Sequence, residues 1–211
     1  MNGITAVWIP AGIKRVLKNA YWRIYGAFLT NPPVPVSPCS FLFICKGNIC
    51  RSPFAEVAAR KHLPDADKWV VRSAGLLVDR PHGSPPEAVS AAKTFEIDLA
   101  GHRSKRVDED LVAAADMVFA MEAWHFRRLH ETFPKHREKI FLLAPFEDPA
   151  PVQRDRYGVL NIQDPYGRTR KDFIGCFERI DACLRGLFSR IQTQEDHRLR
   201  LQTTLVEEIV R

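Results

Sequence analysis

Short apolar runs alternate along this chain with longer stretches in which apolar residues recur every three or four positions. Residues 41–44 form an apolar run that reads as a buried strand. Pro53 then opens a helix to about residue 62, because proline is favoured in a first helical turn. Residues 69–72 predict a second strand and residues 86–95 a helix. Residues 117–120 predict a third strand, 123–130 a helix and 140–143 a fourth strand. A long closing helix is predicted over 172–191, with Phe173, Phe177, Ile180, Cys183, Leu184, Leu187 and Phe188 on one face. Strands alternating with helices imply an α/β fold: a doubly wound, four-stranded parallel sheet with helices on both faces.

Residues 1–38 follow a different pattern. Ile13, Val16, Leu17, Ala20, Tyr21, Ile24 and Phe28 recur at helical spacing, while Lys14, Arg15 and Lys18 fall on the other face. Asn31, Pro32, Pro33, Pro35 and Pro38 end that helix and predict a stiff, extended linker. The chain therefore divides into a basic amphipathic extension with its linker (1–38), a central domain (39–191) and a tail (192–211). The tail is polar, then apolar at Leu205, Val206, Ile209 and Val210, which suggests a short further helix. Two readings of the extension stand side by side: its apolar face packs on the central domain, or it lies on an acidic membrane surface.

Composition narrows the class. The 211 residues are 45% hydrophobic and 27% charged, as in an ordinary globular domain with extensions. The formal charge is +6, and no acidic residue precedes Glu56. That balance suits anionic partners without choosing among them. The basic residues are scattered and nothing resembles a recognition helix, so nucleic acid is not an expected partner. Five cysteines at low density, without metal-ligand spacing, point to a reducing compartment, no disulfide framework and no structural metal. No run of about 18 uncharged apolar residues predicts a spanning helix. Lys14, Arg15, Lys18 and Arg23 interrupt the first apolar stretch, which does not read as a signal peptide. The expected location is cytoplasmic, with a peripheral membrane site open through residues 1–38.

The candidate chemistry lies where the first strand meets the first helix. There the sequence reads Cys45, Lys46, Gly47, Asn48, Ile49, Cys50, Arg51, Ser52, Pro53. A helix N-terminus offers unpaired N–H groups and a partial positive charge, and a loop of converging N–H groups makes a nest for phosphate oxygens. Gly47 permits the backbone angles such a loop needs, and Arg51 supplies a planar fork for two phosphate oxygens. Cys45 gains from the same field, since positive surroundings favour the nucleophilic thiolate. Ser52 is placed to donate its hydroxyl to that sulfur. A bare Cys-x5-Arg match is weak, whereas the nine-residue run with Gly, Asn, Ser and Pro in place is far more specific. Downstream, Asp164-Pro165-Tyr166-Gly167 forms a turn before the closing helix. One carboxylate on such a turn can protonate a leaving oxygen and later activate water.

These residues carry a resemblance. Cys45 to Pro53, then Ser73-Ala74-Gly75, then residues 97–103 (Ile-Asp-Leu-Ala-Gly-His-Arg) and the Asp164 turn resemble the low-molecular-weight protein tyrosine phosphatases over about residues 40–191. The resemblance implies that Cys45 attacks phosphorus to form a phosphocysteine, that Arg51 binds phosphate, and that Asp164 acts as general acid and then base. Lys46, Gly47, Asn48, Ile49, Cys50 and Ser52 would surround the phosphate, and Tyr166 would wall the substrate slot. Asn48 would hold the loop through Ser52, Ser73 and His102. Cys50 would be able to pair reversibly with Cys45, protecting the nucleophile. The implied reaction is hydrolysis of phosphate monoesters, with protein phosphotyrosine as substrate and no cofactor. One departure concerns specificity: residues 76–82 contain no aromatic residue to form a second wall, and Lys46 adds charge at the mouth.

Two other functions use the same loop. An arsenate reductase would need two further cysteines in mid-chain to pass a disulfide along, and none occurs there; Cys176 and Cys183 lie on the closing helix. A non-catalytic phosphate-binding module would have no need of Cys45, Arg51 and Asp164 together.

Overall fold

The computed structural model describes residues 13, 16, 17, 20, 21, 24–26, 29–63, 68–150 and 156–210. Lys14, Arg15, Lys18 and Phe28, assigned above to the two faces of the first helix, lie outside them. The strands are β1 (Ser40–Cys45), β2 (Val70–Gly75), β3 (Met117–Ala120) and β4 (Ile140–Leu142). They form one parallel sheet in the order β2-β1-β3-β4. Successive side chains of β1 enter different cores: Phe41, Phe43 and Cys45 one, Leu42 and Ile44 the other. That is the strand's period of two, and burial on both faces is why residues 41–44 read as an unbroken apolar run.

Helices α1 (Arg51–His62) and α2 (Pro86–Ala92) cover the Phe41 face, together with the last helix. Phe54 of α1 stacks on Phe177 of that helix, with ring centroids 4.0 Å apart. The other face takes Val112 of α3 (Glu109–Ala113) and Phe126 and Leu129 of α4 (Ala123–Thr132). A short α5 (Arg156–Leu160) precedes the last helix, α6 (Arg170–Val210). The five-residue helices α3 and α5 were not anticipated, because one turn is too short to show a period.

The residues assigned to a separate tail helix are instead continuous with α6, which runs 41 residues. At 1.5 Å per residue it is about 60 Å long. Thr169 and Asp172 start it with a capping box: Asp172 Oδ2 accepts from Thr169 N (3.1 Å), and Asp172 N donates to Thr169 Oγ1 (3.4 Å). No Gly or Pro follows Gly186 to stop it. Its apolar face is buried as far as Ile191, and the leucines at 199 and 201 are exposed. At Gly186 α6 passes close to the turn after β4, since a Cβ there would collide with the Phe146 carbonyl oxygen.

Among the described residues of the N-terminal helix, Ile13, Val16, Leu17, Tyr21 and Ile24 are 50–68% exposed. Their face is therefore not covered by the central domain. The chain meets the domain just afterwards. Asn31 donates from Nδ2 to Leu142 O (2.9 Å) and accepts from Leu142 N (2.7 Å), which blocks the open edge of β4. Leu29 and Val34 pack on opposite cores.

Candidate active site

Parallel sheets place ligand sites at the carboxyl ends of their strands. Cys45 ends β1 and Arg51 begins α1. The N-cap position, Cys50, makes no side-chain capping bond, and the first turn of α1 holds no acidic residue. The positive end of α1 is thus left to a ligand. Cys45 Sγ lies 3.0 Å from Ser52 Oγ and accepts from Asn48 N at 3.2 Å.

Asn48 is the keystone of the loop. It is completely buried and has φ of +51°, a left-handed conformation uncommon outside glycine that asparagine takes more readily than most residues. Its Nδ2 donates to Ser52 Oγ (3.0 Å) and Ser73 Oγ (2.9 Å), and its Oδ1 accepts from Lys105 N (3.0 Å). His102 Nε2 donates to its carbonyl oxygen at 2.7 Å. Burial lowers the His102 pKa, and that hydrogen bond opposes the shift. Ser73 Oγ in turn donates a hydrogen bond to Glu56 Oε2 at 2.5 Å. Gly75, paired with Cys45, lets the loop approach: a Cβ there would stand 2.9 Å from both Asn48 N and Gly47 C.

Arg51 is 1% exposed. One terminal nitrogen donates to Glu122 Oε1 (2.5 Å) and Ile162 O (2.8 Å), and the other pairs with Asp164 Oδ2 (2.8 Å). Burial opposes its charge, but Cys45, Asp164 and Glu122 outweigh burial and push its pKa up, so it stays a cation. Its Nε is buried with no partner, a strong donor waiting for an acceptor inside the loop. Asp164 accepts from Tyr166 N at 3.2 Å and is 37% exposed.

Cys45, Lys46, Gly47, Ile49, Cys50, Arg51, Asp164 and Tyr166 line one cavity of about 150 Å³, with Leu77. Asn48, Ser52, Ser73 and His102 support it from behind. A larger cavity, about 420 Å³, lies against the Asp164 turn and is lined by Gln163, Pro165, Cys176 and Arg179 among others. The turn therefore has space on both sides. Burial, then the Cys45 charge, raises the Cys50 pKa, and burial pushes the Cys176 thiol up to about 12. Both are neutral thiols. Among the described residues, no group of three or more His, Cys, Asp or Glu is placed to hold a metal.

Sequence reasoning missed Glu56, Leu77, Glu122 and His125. Glu122 follows β3, which lies beside β1, so its position at a strand's carboxyl end was the available signal. His125 is fully buried with neither ring nitrogen hydrogen-bonded, its Nε2 lying 3.9 Å from Glu122 Oε1; burial, then Arg51 and Lys46, lower its pKa to about 2.

The family model for low molecular weight phosphotyrosine protein phosphatase matches residues 40–197. The low molecular weight protein-tyrosine-phosphatase Wzb of Escherichia coli (strain K12) is 30% identical over 146 residues, 69% of this chain and 90% of that protein. Arsenate reductase 1 of Bacillus cereus is 37% identical over 108 residues, 51% of this chain and 75% of that protein. Among solved structures, the YwlE arginine phosphatase from Geobacillus stearothermophilus superposes with a TM-score of 0.64 at 27% identity, covering 76% of this chain and 97% of that one.

Proposed function

The chain belongs to the low molecular weight phosphotyrosine protein phosphatase family and is a phosphatase, and from that premise we propose how its residues act. Cys45 is the nucleophile and attacks the phosphorus of a phosphotyrosine side chain held in the slot. Ser52 donates to the sulfur, which stabilises the thiolate in attack and again as it leaves. Arg51 Nε, the unpartnered buried donor, takes one phosphate oxygen, and this is the observation that carries the reading. A second oxygen takes the terminal nitrogen now held by Asp164. Asp164, displaced from Arg51, protonates the departing phenolic oxygen. Water then attacks the phosphocysteine and gives its proton to Asp164, which restores the acid and returns phosphate and the Cys45 thiolate.

Ile49, Leu77 and Tyr166 favour a flat aryl group between them. Asp164 is the single carboxylate lining the slot among the described residues, which favours phosphotyrosine over a phosphorylated guanidinium. Arsenate reduction is disfavoured by the cysteines. None lies between Cys50 and Cys176, and Cys183 is buried in the core. We also propose peripheral membrane contact through residues 1–38, supported by the exposed apolar face and by the basic residues between its positions in the sequence.

Hydrolysis of p-nitrophenyl phosphate without added metal, for the native chain and Cys45→Ser, tests the chemistry. Loss of the nucleophile removes at least about three orders of magnitude of turnover. Residual activity above about 1% would sink the assignment of Cys45. Faster turnover of phosphoarginine than phosphotyrosine peptides would overturn the substrate class.

A further inference from the structure

We propose that the wall of the slot on the β2 side is a docking surface for acidic peptide residues flanking the phosphorylated tyrosine, formed by Lys46, Arg80, Arg103, Lys105 and Arg106. The proposal rests on the phosphotyrosine reading above.

Two segments flank the slot on this side: residues 76–82, after β2, of which Leu77 lines it, and residues 102–107, before α3, which stand behind them. They are fastened to each other. Ser104 N donates to His82 O and His82 N to Ser104 Oγ, both at 2.8 Å. Gly75 N donates to Lys105 O (2.9 Å), and Val107 N donates to Gly75 O (3.0 Å). They are fastened to the phosphate loop as well, through Lys105 N and His102 on Asn48. The cations thus stand on a backbone that is already ordered, so docking costs little loop entropy.

The register sets their distance from the chemistry. Cys45 pairs with Gly75, and Gly75 bridges to Arg106. Two strand spacings separate the Cys45 and Arg106 backbones, about 10 Å, or about three residues of an extended peptide. Lys46 lines the slot itself, and Arg80 follows Leu77, which forms its apolar wall.

All five cations are exposed, and none forms an ion pair among the described residues. The side chain of Arg103 donates to a carbonyl oxygen, that of His102. Asp79, the acidic residue of the same wall, already accepts from Arg80 N and lies 3.4 Å from His82. Like charges gathered without ion-pair partners repel one another, and an acidic segment relieves that repulsion as it binds.

The test uses full-length Cys45→Ser protein, so that binding is read without turnover. Fluorescence anisotropy compares two labelled phosphotyrosine peptides, one with Asp and Glu within three residues of the phosphotyrosine, the other with Asn and Gln in their place. The expected result is about tenfold tighter binding of the acidic peptide at low salt, shrinking as ionic strength rises. Adding Arg80→Gln, Arg103→Gln and Arg106→Gln together removes that preference and leaves the Kd of the neutral peptide within about twofold. Equal binding of the two peptides, or a preference that survives the triple substitution, overturns the docking surface and leaves the phosphatase reading intact. Binding of neither peptide overturns the phosphotyrosine reading and the surface with it. Tighter binding to phosphatidylserine vesicles than to the acidic peptide, lost in the triple variant, assigns the wall to lipid and also overturns the proposal. An unchanged unfolding midpoint of the triple variant shows that any loss belongs to the charges.

Discussion

The phosphate loop and the N-terminal helix break the usual rule of burial in opposite directions. The loop buries Asn48, Arg51 and Ser52, with Ser73 beside it, while the helix exposes Ile13, Val16, Leu17, Tyr21 and Ile24. Buried polar groups are tolerated when each finds a partner. Around the loop the partners come from α1 (Glu56), β2 (Ser73), the segment before α3 (His102, Lys105) and the N-cap of α4, two residues past β3 (Glu122). A contiguous exposed apolar face marks a site of interaction when it is large. The loop is thus completed by its own domain, and the helix is not. One region awaits an anion, and the other leaves its described apolar residues open to solvent.

The sharpest way to break the loop chemically is Asp164→Ala. Loss of a general acid costs about 10²–10⁴ in rate for a poor leaving group such as phenyl phosphate. The loss is smaller for p-nitrophenyl phosphate, which leaves without help. Equal losses on the two substrates would count against the acid role. Breaking the loop structurally comes next. Asn48→Ala strands Ser52, Ser73 and Lys105 N and removes the bonds that hold a left-handed residue. A stability loss of about 3 kcal/mol is expected in urea unfolding, with activity falling about 100-fold. A variant as stable as the parent would show that the network is dispensable.

A smaller effect comes from the buried imidazole beside Arg51. His125 titrates at about 2 in the folded chain, against 6.5 ordinarily. Between those values the unfolded chain binds more protons, so stability falls as pH drops below 6.5. By pH 5 the cost is about 2 kcal/mol. His125→Phe is expected to flatten that limb when unfolding at pH 7 and pH 5 is compared, and an unchanged slope would refute the assignment. The smallest effect on catalysis belongs to the other region. Replacing Ile13, Leu17 and Ile24 by Ser should leave p-nitrophenyl phosphate turnover within about twofold while abolishing co-sedimentation with anionic vesicles. Vesicle binding that persists in this variant would remove the membrane role from the apolar face.

Much of this molecule was legible where signals are local. The run 41–44, Pro53 after the loop, and the stripe from Phe173 to Leu187 each lie within one element, and the structure puts β1, α1 and α6 there. The second wall was different. The absence of an aromatic residue in 76–82 was plain in the sequence, but that Leu77 takes the place required the fold of that loop over the slot. The tail was misjudged as a separate helix because its apolar positions shift after Ile191, although nothing in its backbone interrupts α6.

By itself, the sequence determined the α/β alternation, the phosphate loop at the first strand-to-helix junction and the Asp164 turn, since each depends on residues a few positions apart. Only the tertiary structure decided what surrounds Arg51. Glu122 stands 71 residues further along, and the Ile162 carbonyl 111. The sheet order β2-β1-β3-β4 brings the end of β3 beside the end of β1. No local pattern encodes that neighbour, because which strands lie side by side is settled by packing both faces of the sheet at once.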